Sequence, residues 1–469
     1  MFSYNLFNKY SFNIAFISQK GSFTTYADLL EFSKEISDII KIRSLFFIVC
    51  NNSVCSLKAY VSCMINRHVP LLLDSLLSEF FLLEWVEAYE PNFIWLPKYH
   101  KLYSKIGILI LETEEYGLHE FRCNKALNIN DDLALLLTTS GSIGKSKVVR
   151  LSYNNILKNS ESIAHYLNIN CQDKPVTTLP LNYSFGLSIV NSHLIKGASI
   201  LVTSKSIVEK EFWSFIRNQN ATSIAGVPYT FEILKKLNFF KFDLPSLKII
   251  LQAGGKLNEE LFSFFATNCM DKGIKFYAMY GQTEASPRIS YLSPEYSRIK
   301  IGSIGKVIPG GELYLSDEEN NIIDRPNTQG ELVYTGDNVF LGYSYSSSDL
   351  SKGDEINRVL YTGDLAYYDE DGFFFIIGRK SRFIKIYGVR IGLDEIENEL
   401  KKFIPECACT GIDNLITIFL TDESFKDLVI HYLSLNYLMF KKSWEIKIIN
   451  SIPKNESGKI LYNRLVEFL

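Results

Sequence analysis

The chain has 469 residues, 47% of them hydrophobic and 22% charged, which excludes an intrinsically disordered protein and calls for at least two domains. A formal net charge of −3 leaves no global basic field for nucleic acid or an anionic membrane surface, so neither is expected as a partner. The eight cysteines form no CxxC pair and the six histidines no HExxH, which argues against a structural zinc site and for a reducing, cytoplasmic setting. No stretch reaches the roughly 18 apolar residues of a membrane span.

Taken in chain order, Thr25-Tyr-Ala-Asp28 reads as a capping box, with Leu29, Leu30, Phe32, Ile36, Ile39 and Ile40 following at helical spacing. The continuous apolar runs Leu45 to Val49, Val69 to Leu73 and Phe93 to Leu96 read as buried parallel strands separated by helical segments. The βαβ rhythm continues through Leu133 to Leu137, Ser199 to Val202, Ser223 to Ala225, Lys248 to Leu251 and Lys275 to Met279. From about residue 300, glycines and short alternating strands such as Gly310 to Leu315 and Gly330 to Tyr334 indicate a small β-rich barrel or sheet. Beyond Gly378-Arg379 the chain turns mixed again, with Leu393 to Leu400 as an amphipathic helix. The expected fold is α/β, with layered α/β subdomains and a β-rich barrel over residues 1–380. A small mobile α+β domain follows over residues 381–469, the boundary falling at Lys380-Ser381.

Four segments carry the chemistry. Residues 138–147, Thr-Thr-Ser-Gly-Ser-Ile-Gly-Lys-Ser-Lys, follow a buried strand and offer backbone N–H groups and hydroxyls to phosphate oxygens, with Lys147 adding charge. A P-loop is the rival, but its motif needs glycine where this chain has Thr139, and a helix where a β-rich run begins at Val148. Tyr280-Gly-Gln-Thr-Glu284 follows the strand ending at Met279, where ligands of α/β sheets gather. There Tyr280 is placed to stack on a base, Thr283 to reach a phosphate and Glu284 to hold Mg²⁺; a plain surface turn is the simpler reading of those five residues alone. Asp364, in Tyr361-Thr-Gly-Asp, suits ribose hydroxyls. Lys459 stands behind Ser457-Gly458 near the C-terminus and supplies a lone cation on a flexible loop.

The order of these segments resembles that of the adenylate-forming superfamily, which includes acyl-CoA synthetases, luciferases and the adenylation domains of peptide synthetases. Gly302-Ser-Ile-Gly305, Gly330-Glu-Leu332, Gly342-Tyr343, Gly378-Arg379 and Ile384 to Ile391 extend the resemblance over nearly the whole chain. The resemblance implies that Thr139, Ser140, Gly141, Ser142, Gly144 and Lys147 grip the β- and γ-phosphates of ATP, with Thr139 counted among the catalytic residues. It places Gly254 and Gly255 against adenine beside Tyr280 and Gly281, Asp364 and Arg379 on ribose, and Glu284 on Mg²⁺. Lys459 bridges the attacking carboxylate and the α-phosphate, where a cation stabilises the crowded phosphorus more than the ground state. The implied reaction joins a carboxylic acid to ATP as an acyl-adenylate, then passes the acyl group to the thiol of coenzyme A. In this scheme the small domain rotates between the half-reactions to present Gly388 and its strand.

Several positions depart from the family pattern. Ile143 and Ser146 replace a threonine and a proline in the phosphate loop, Ser381 stands at the hinge, and Tyr153 and Tyr183 stand where histidines are common. The aspartate that anchors an α-ammonium in peptide-synthetase domains falls at Ser184, so the expected substrate is an acyl or aryl acid rather than an α-amino acid. Tyr183, Ser184, Phe185, Val227, Ala253, Met279 and Ser286 are the candidate pocket lining. The basic stretch Arg379, Lys380, Arg382 and Lys385 reads as a solvated hinge face, with contact to coenzyme A phosphates as the alternative. The terminal domain is short for the family, which leaves the phosphopantetheine arm of a carrier protein as an alternative thiol acceptor. A catalytically idle nucleotide-binding scaffold and a generic ATPase are the readings of other classes.

Overall fold

The computed structural model describes residues 2–121, 127–138, 147–386, 389–412, 414–436, 443–455 and 458–468. Residues 1–312 and 334–360 form one compact unit, and residues 313–333 and 361–469 form a second.

The capping box at Thr25 is present. The Thr25 hydroxyl accepts from the Asp28 N–H at 3.1 Å and the Asp28 carboxylate accepts from the Thr25 N–H at 2.7 Å, starting helix Tyr26–Ile39. The apolar runs become strands of an eight-stranded sheet. Its centre is four parallel strands in the order Leu133–Thr138, Val69–Asp74, Leu45–Cys50 and Phe93–Pro97. Antiparallel strands flank them: Val148–Ser152 and Gly342–Ser344 on one side, Tyr116–Glu120 and Ile108–Glu112 on the other. Strand Leu45–Cys50 is buried along its full length, as burial on both faces of a parallel sheet requires.

A second sheet runs Ser223–Gly226, Ile249–Gln252, Lys275–Gly281, Arg288–Leu292 and Lys306–Val307. Its first three strands are parallel and the rest antiparallel. Strand Ile200–Val202, which continues the βαβ rhythm in sequence, joins neither sheet. It pairs in parallel with Ile14–Ser18 in a separate three-stranded sheet. An apolar run identifies a strand, whereas its partner is settled by non-local packing. Helix Ser184–Leu194 is buried along its whole length in the same unit.

The glycine-rich stretch contributes to a five-stranded sheet, ordered Ile322–Ile323, Gly311–Ser316, Gly330–Gly336, Val359–Tyr368 and Phe374–Arg379. The last ninety residues have a core of their own. Helix Leu393–Leu400 places Ile396 and Leu400 against Cys407, Cys409, Ile416 and Ile418 of strands Cys407–Ile412 and Leu415–Leu420. Both cysteines are free, buried thiols. Among the described residues, no helix is long and apolar enough to cross a membrane.

Candidate functional site

The turn after strand Lys275–Gly281 is fixed by backbone constraints before any ligand is considered. A Cβ at Gly281 would stand 1.8 Å from the Pro287 carbonyl oxygen, so only glycine lets the two segments approach. The Gln282 N–H donates to that same oxygen at 2.9 Å. Asn338 then pins the far side, donating through Nδ2 to the carbonyls of Ala285 (2.6 Å) and Arg288 (2.8 Å) while accepting from the Tyr334 hydroxyl at 2.6 Å. The Ser286 hydroxyl donates to the Asn338 carbonyl at 2.8 Å, so this candidate pocket residue is engaged in bracing the turn.

Glu284 is oriented from two directions. The Tyr343 hydroxyl donates to its Oε1 at 2.8 Å, and the Phe340 N–H donates to its main-chain carbonyl at 2.9 Å. Lys147 lies over the Tyr343 ring, Nζ 3.8 Å from the centroid, so the described end of the phosphate loop reaches the same tyrosine as the carboxylate. Thr139, Ser140, Gly141, Ser142 and Gly144 lie outside the described residues. Among the described residues no group of three or more His, Cys, Asp or Glu side chains surrounds a metal position.

Gly254 has φ +83°, and a Cβ there would come within 2.6 Å of the Tyr183 hydroxyl and 3.0 Å of Val227 Cγ1. This close approach brings Gly254, Tyr183 and Val227 together, and Gly254 and Gly255 are exposed while Ala253 is buried. At Gly255 the nearest atom is Pro228 Cγ, 2.9 Å away, and the Gly255 carbonyl accepts from Gln252 Nε2 at 2.7 Å. Tyr280 accepts from Gln282 Nε2 at 3.2 Å. Ser184 Oγ and Thr283 Oγ1 are 3.1 Å apart, which joins the start of helix Ser184–Leu194 to the glycine turn. Position 184 carries a hydroxyl rather than a carboxylate. Tyr183 packs edge-on to Phe185, their centroids 6.3 Å apart, and burial pushes its phenol pKa up.

Two groups, the half-buried Tyr166 and the buried Arg288, belong to none of the sequence motifs. The Tyr166 hydroxyl points at Met279 Sδ, 3.3 Å away, and Arg288, 2% exposed, stacks its guanidinium 4.8 Å from the Phe185 ring centroid. The available signal was a single cation inside the strand-like run Arg288-Ile-Ser-Tyr-Leu292, a position where charge is costly. Tyr343, quoted only as part of a Gly-Tyr motif, also emerges as the residue between Lys147 and Glu284.

The second unit holds the remaining predicted residues. Asp364, 4% exposed, accepts from Arg379 Nε at 2.7 Å, and Arg379 also donates to the Thr362 carbonyl at 3.2 Å. The Arg379 N–H donates to Asp394 at 3.1 Å. The basic stretch departs from a solvated face at Arg382, whose guanidinium pairs with Asp394 and with Glu397 (3.2 Å) and stacks 3.6 Å from the Tyr462 centroid. Lys380 pairs with Glu331 at 2.6 Å. The Lys385 side chain lies outside the described residues. Lys459 is exposed on a short hairpin: Asn455 N–H donates to the Lys459 carbonyl and Lys459 N–H to Asn455 Oδ1, both at 2.9 Å. Its downstream leg is clamped by the Tyr462 hydroxyl, which donates to the two Glu397 oxygens at 2.8 and 3.0 Å.

Comparison with known proteins adds to this geometry. A family model described as "AMP-binding enzyme" matches residues 8–344. The 2-succinylbenzoate–CoA ligase of Oceanobacillus iheyensis is 29% identical over 345 residues, covering 71% of this chain and 70% of the relative. The O-succinylbenzoate coenzyme A synthetase of Bacillus subtilis, solved in complex with AMP, superposes with a TM-score of 0.81 at 25% identity and 98% coverage of both chains. ATP-bound MatB from Rhodopseudomonas palustris shares the fold, with a TM-score of 0.78 at 20% identity over 99% of this chain and 98% of its own.

Proposed function

The chain belongs to the AMP-binding enzyme family, and on that premise we propose how its residues divide the work of an ATP-dependent acid–thiol ligase and which acids it accepts. The enzyme activates a carboxylic acid with ATP to an acyl-adenylate and transfers the acyl group to a thiol. The observation that carries our assignment is the Glu284 carboxylate, held by the Tyr343 hydroxyl above a turn that only glycine fits and reached through the same ring by Lys147.

In this reading adenine lies against Gly254 and Gly255 beside Tyr280, the ribose meets Asp364 and Arg379, and Lys147 serves the terminal phosphates. Mg²⁺, held through Glu284, offsets phosphate charge. Lys459 carries its ammonium to the carboxylate and α-phosphate as the bond to phosphorus forms and pyrophosphate leaves. Residues 381–469, with their separate core, act as the moving part about a hinge at Lys380-Ser381. The acid lacks an α-ammonium group, because Ser184 is spent on Thr283 and an unpaired buried ammonium is costly. Coenzyme A, the acceptor named for the relatives, is the thiol, and free thiols without a disulfide framework suit a cytoplasmic reaction. A carrier protein presents the same phosphopantetheine thiol, and supplying each acceptor to one adenylate distinguishes the two.

The test of the assignment separates the half-reactions. Lys459→Ala is expected to slow acid-dependent pyrophosphate exchange by about 10²–10³-fold, the usual loss on removing one transition-state donor. Thioester formation from synthetic acyl-adenylate is expected to persist. Equal loss in both half-reactions, or none in either, would remove Lys459 from the adenylation step.

A further inference from the structure

Arg288 begins the antiparallel strand Arg288–Leu292 directly opposite Gly281, so its backbone belongs to the glycine turn that the nucleotide reading requires. Its side chain is directed inward. It stacks on Phe185, a pocket residue, and its Nη2 approaches Ser188 Oγ only at 3.5 Å. The Nε–H is buried with no hydrogen-bond partner, and no described carboxylate pairs with the guanidinium. The Tyr166 phenol beside it, linked to Met279, is pushed up to about 12 by burial, with the Arg288 cation and its hydrogen bond to the phenol oxygen opposing that rise. Phe185 and the phenols of Tyr166 and Tyr183 stand around it.

A fully buried guanidinium carries five N–H donors in a planar fork, and leaving them unpaired costs more than an apolar residue of the same size. Its geometry matches one ligand type above others, a carboxylate taken in bidentate fashion. The acid's reacting carboxylate is committed to ATP and the lysine, so the partner for Arg288 is a different group on the same molecule.

We propose that Arg288 is a specificity-determining residue that binds a second carboxylate at the distal end of the acid, so that the substrate class is dicarboxylic. This inference rests on the ligase reading above and narrows it. The wall of Phe185 and Met279 then packs the carbon skeleton between the two carboxylates. The first relative's substrate, 2-succinylbenzoate, is chemically of this kind.

The test uses the full chain, ATP and Mg²⁺ in acid-dependent pyrophosphate exchange with matched pairs of acids. The pairs are 2-succinylbenzoate against 4-oxo-4-phenylbutanoate, and adipate against hexanoate. A site built around a buried polar group discriminates strongly against the analogue lacking its partner, so the dicarboxylic member of at least one pair is expected to have kcat/KM higher by about 10²-fold or more. Arg288→Met is expected to invert that preference and Arg288→Lys to weaken it while keeping its sense, with both effects appearing mainly in KM. Equal or better use of the singly charged members by the unmodified enzyme overturns the proposal without any variant. An unchanged ratio in Arg288→Met overturns it as well. Exchange with none of the acids and with no other carboxylic acid would bring down the ligase reading itself, whereas exchange confined to acids with uncharged tails refutes the role of Arg288 alone.

Discussion

Arg150 and Arg288 are both buried in the same unit, at 0% and 2% exposure, yet their surroundings differ in kind. Arg150 is saturated. Its Nε donates to the Tyr343 carbonyl at 3.1 Å and its Nη1 to the carbonyls of Lys352 and Gly353 at 2.5 and 3.2 Å. Its Nη2 donates to the Leu341 carbonyl at 3.3 Å and to the Glu355 carboxylate. Arg288 has a ring face, a hydrogen bond to the Tyr166 hydroxyl, one long contact to the Ser188 hydroxyl and an unpartnered Nε. A saturated buried cation is a piece of architecture that fixes the segments around it. An unsaturated one is, in our proposal, a binding group awaiting its ligand.

The largest expected effect tests the architectural member of the pair. Arg150→Met leaves four carbonyls and a carboxylate without their donor and is expected to cost about 3 kcal/mol or more, read as a lowered midpoint in urea unfolding. Loss of less than about 1 kcal/mol would erase the distinction from its side. Tyr343 sharpens the comparison because its carbonyl belongs to Arg150 and its hydroxyl to Glu284. Tyr343→Phe keeps the first bond and removes the second. A hydrogen bond to a charged group is worth about 1.5–3 kcal/mol, so the apparent KM for Mg-ATP is expected to rise about tenfold or more, with little change in urea midpoint. Unfolding without an acid present gives the smallest effect. Arg288→Met is expected to shift stability by no more than about 1 kcal/mol, or to raise it, because it replaces an unpaired buried charge with an apolar side chain. A loss as large as that of Arg150→Met would show Arg288 to be architectural too.

Much of the fold was legible in the residues. The capping box at Thr25, the buried runs at Leu45, Val69 and Phe93, and the helix at Leu393 obey local rules of capping and periodicity, and all appear as elements. The glycine turn and the close approach at Gly254 were legible for a related reason: backbone demands leave a mark in residue type. Partnerships were less legible. Ser199 to Val202 looked like one more strand of the main rhythm and paired elsewhere, and Arg382, read as part of a solvated face, turned inward to Asp394, Glu397 and Tyr462. The Ser286 hydroxyl, read as a pocket group, donates to the Asn338 carbonyl, a partner 52 residues away.

By itself, the sequence determined which residues are strands and helices, where glycine is obligatory and which ordered motifs name an adenylating ligase. These properties depend on neighbours a few positions away, or on motif order along the chain. Tertiary structure alone decided that Tyr343 orients Glu284, that Arg150 is satisfied and that Arg288 is not. The bonds of Arg150 span 191 to 205 residues, and the Arg288 contact to Ser188 spans 100. Whether a buried charge finds a partner depends on what folding brings beside it from that distance, and no local pattern encodes it.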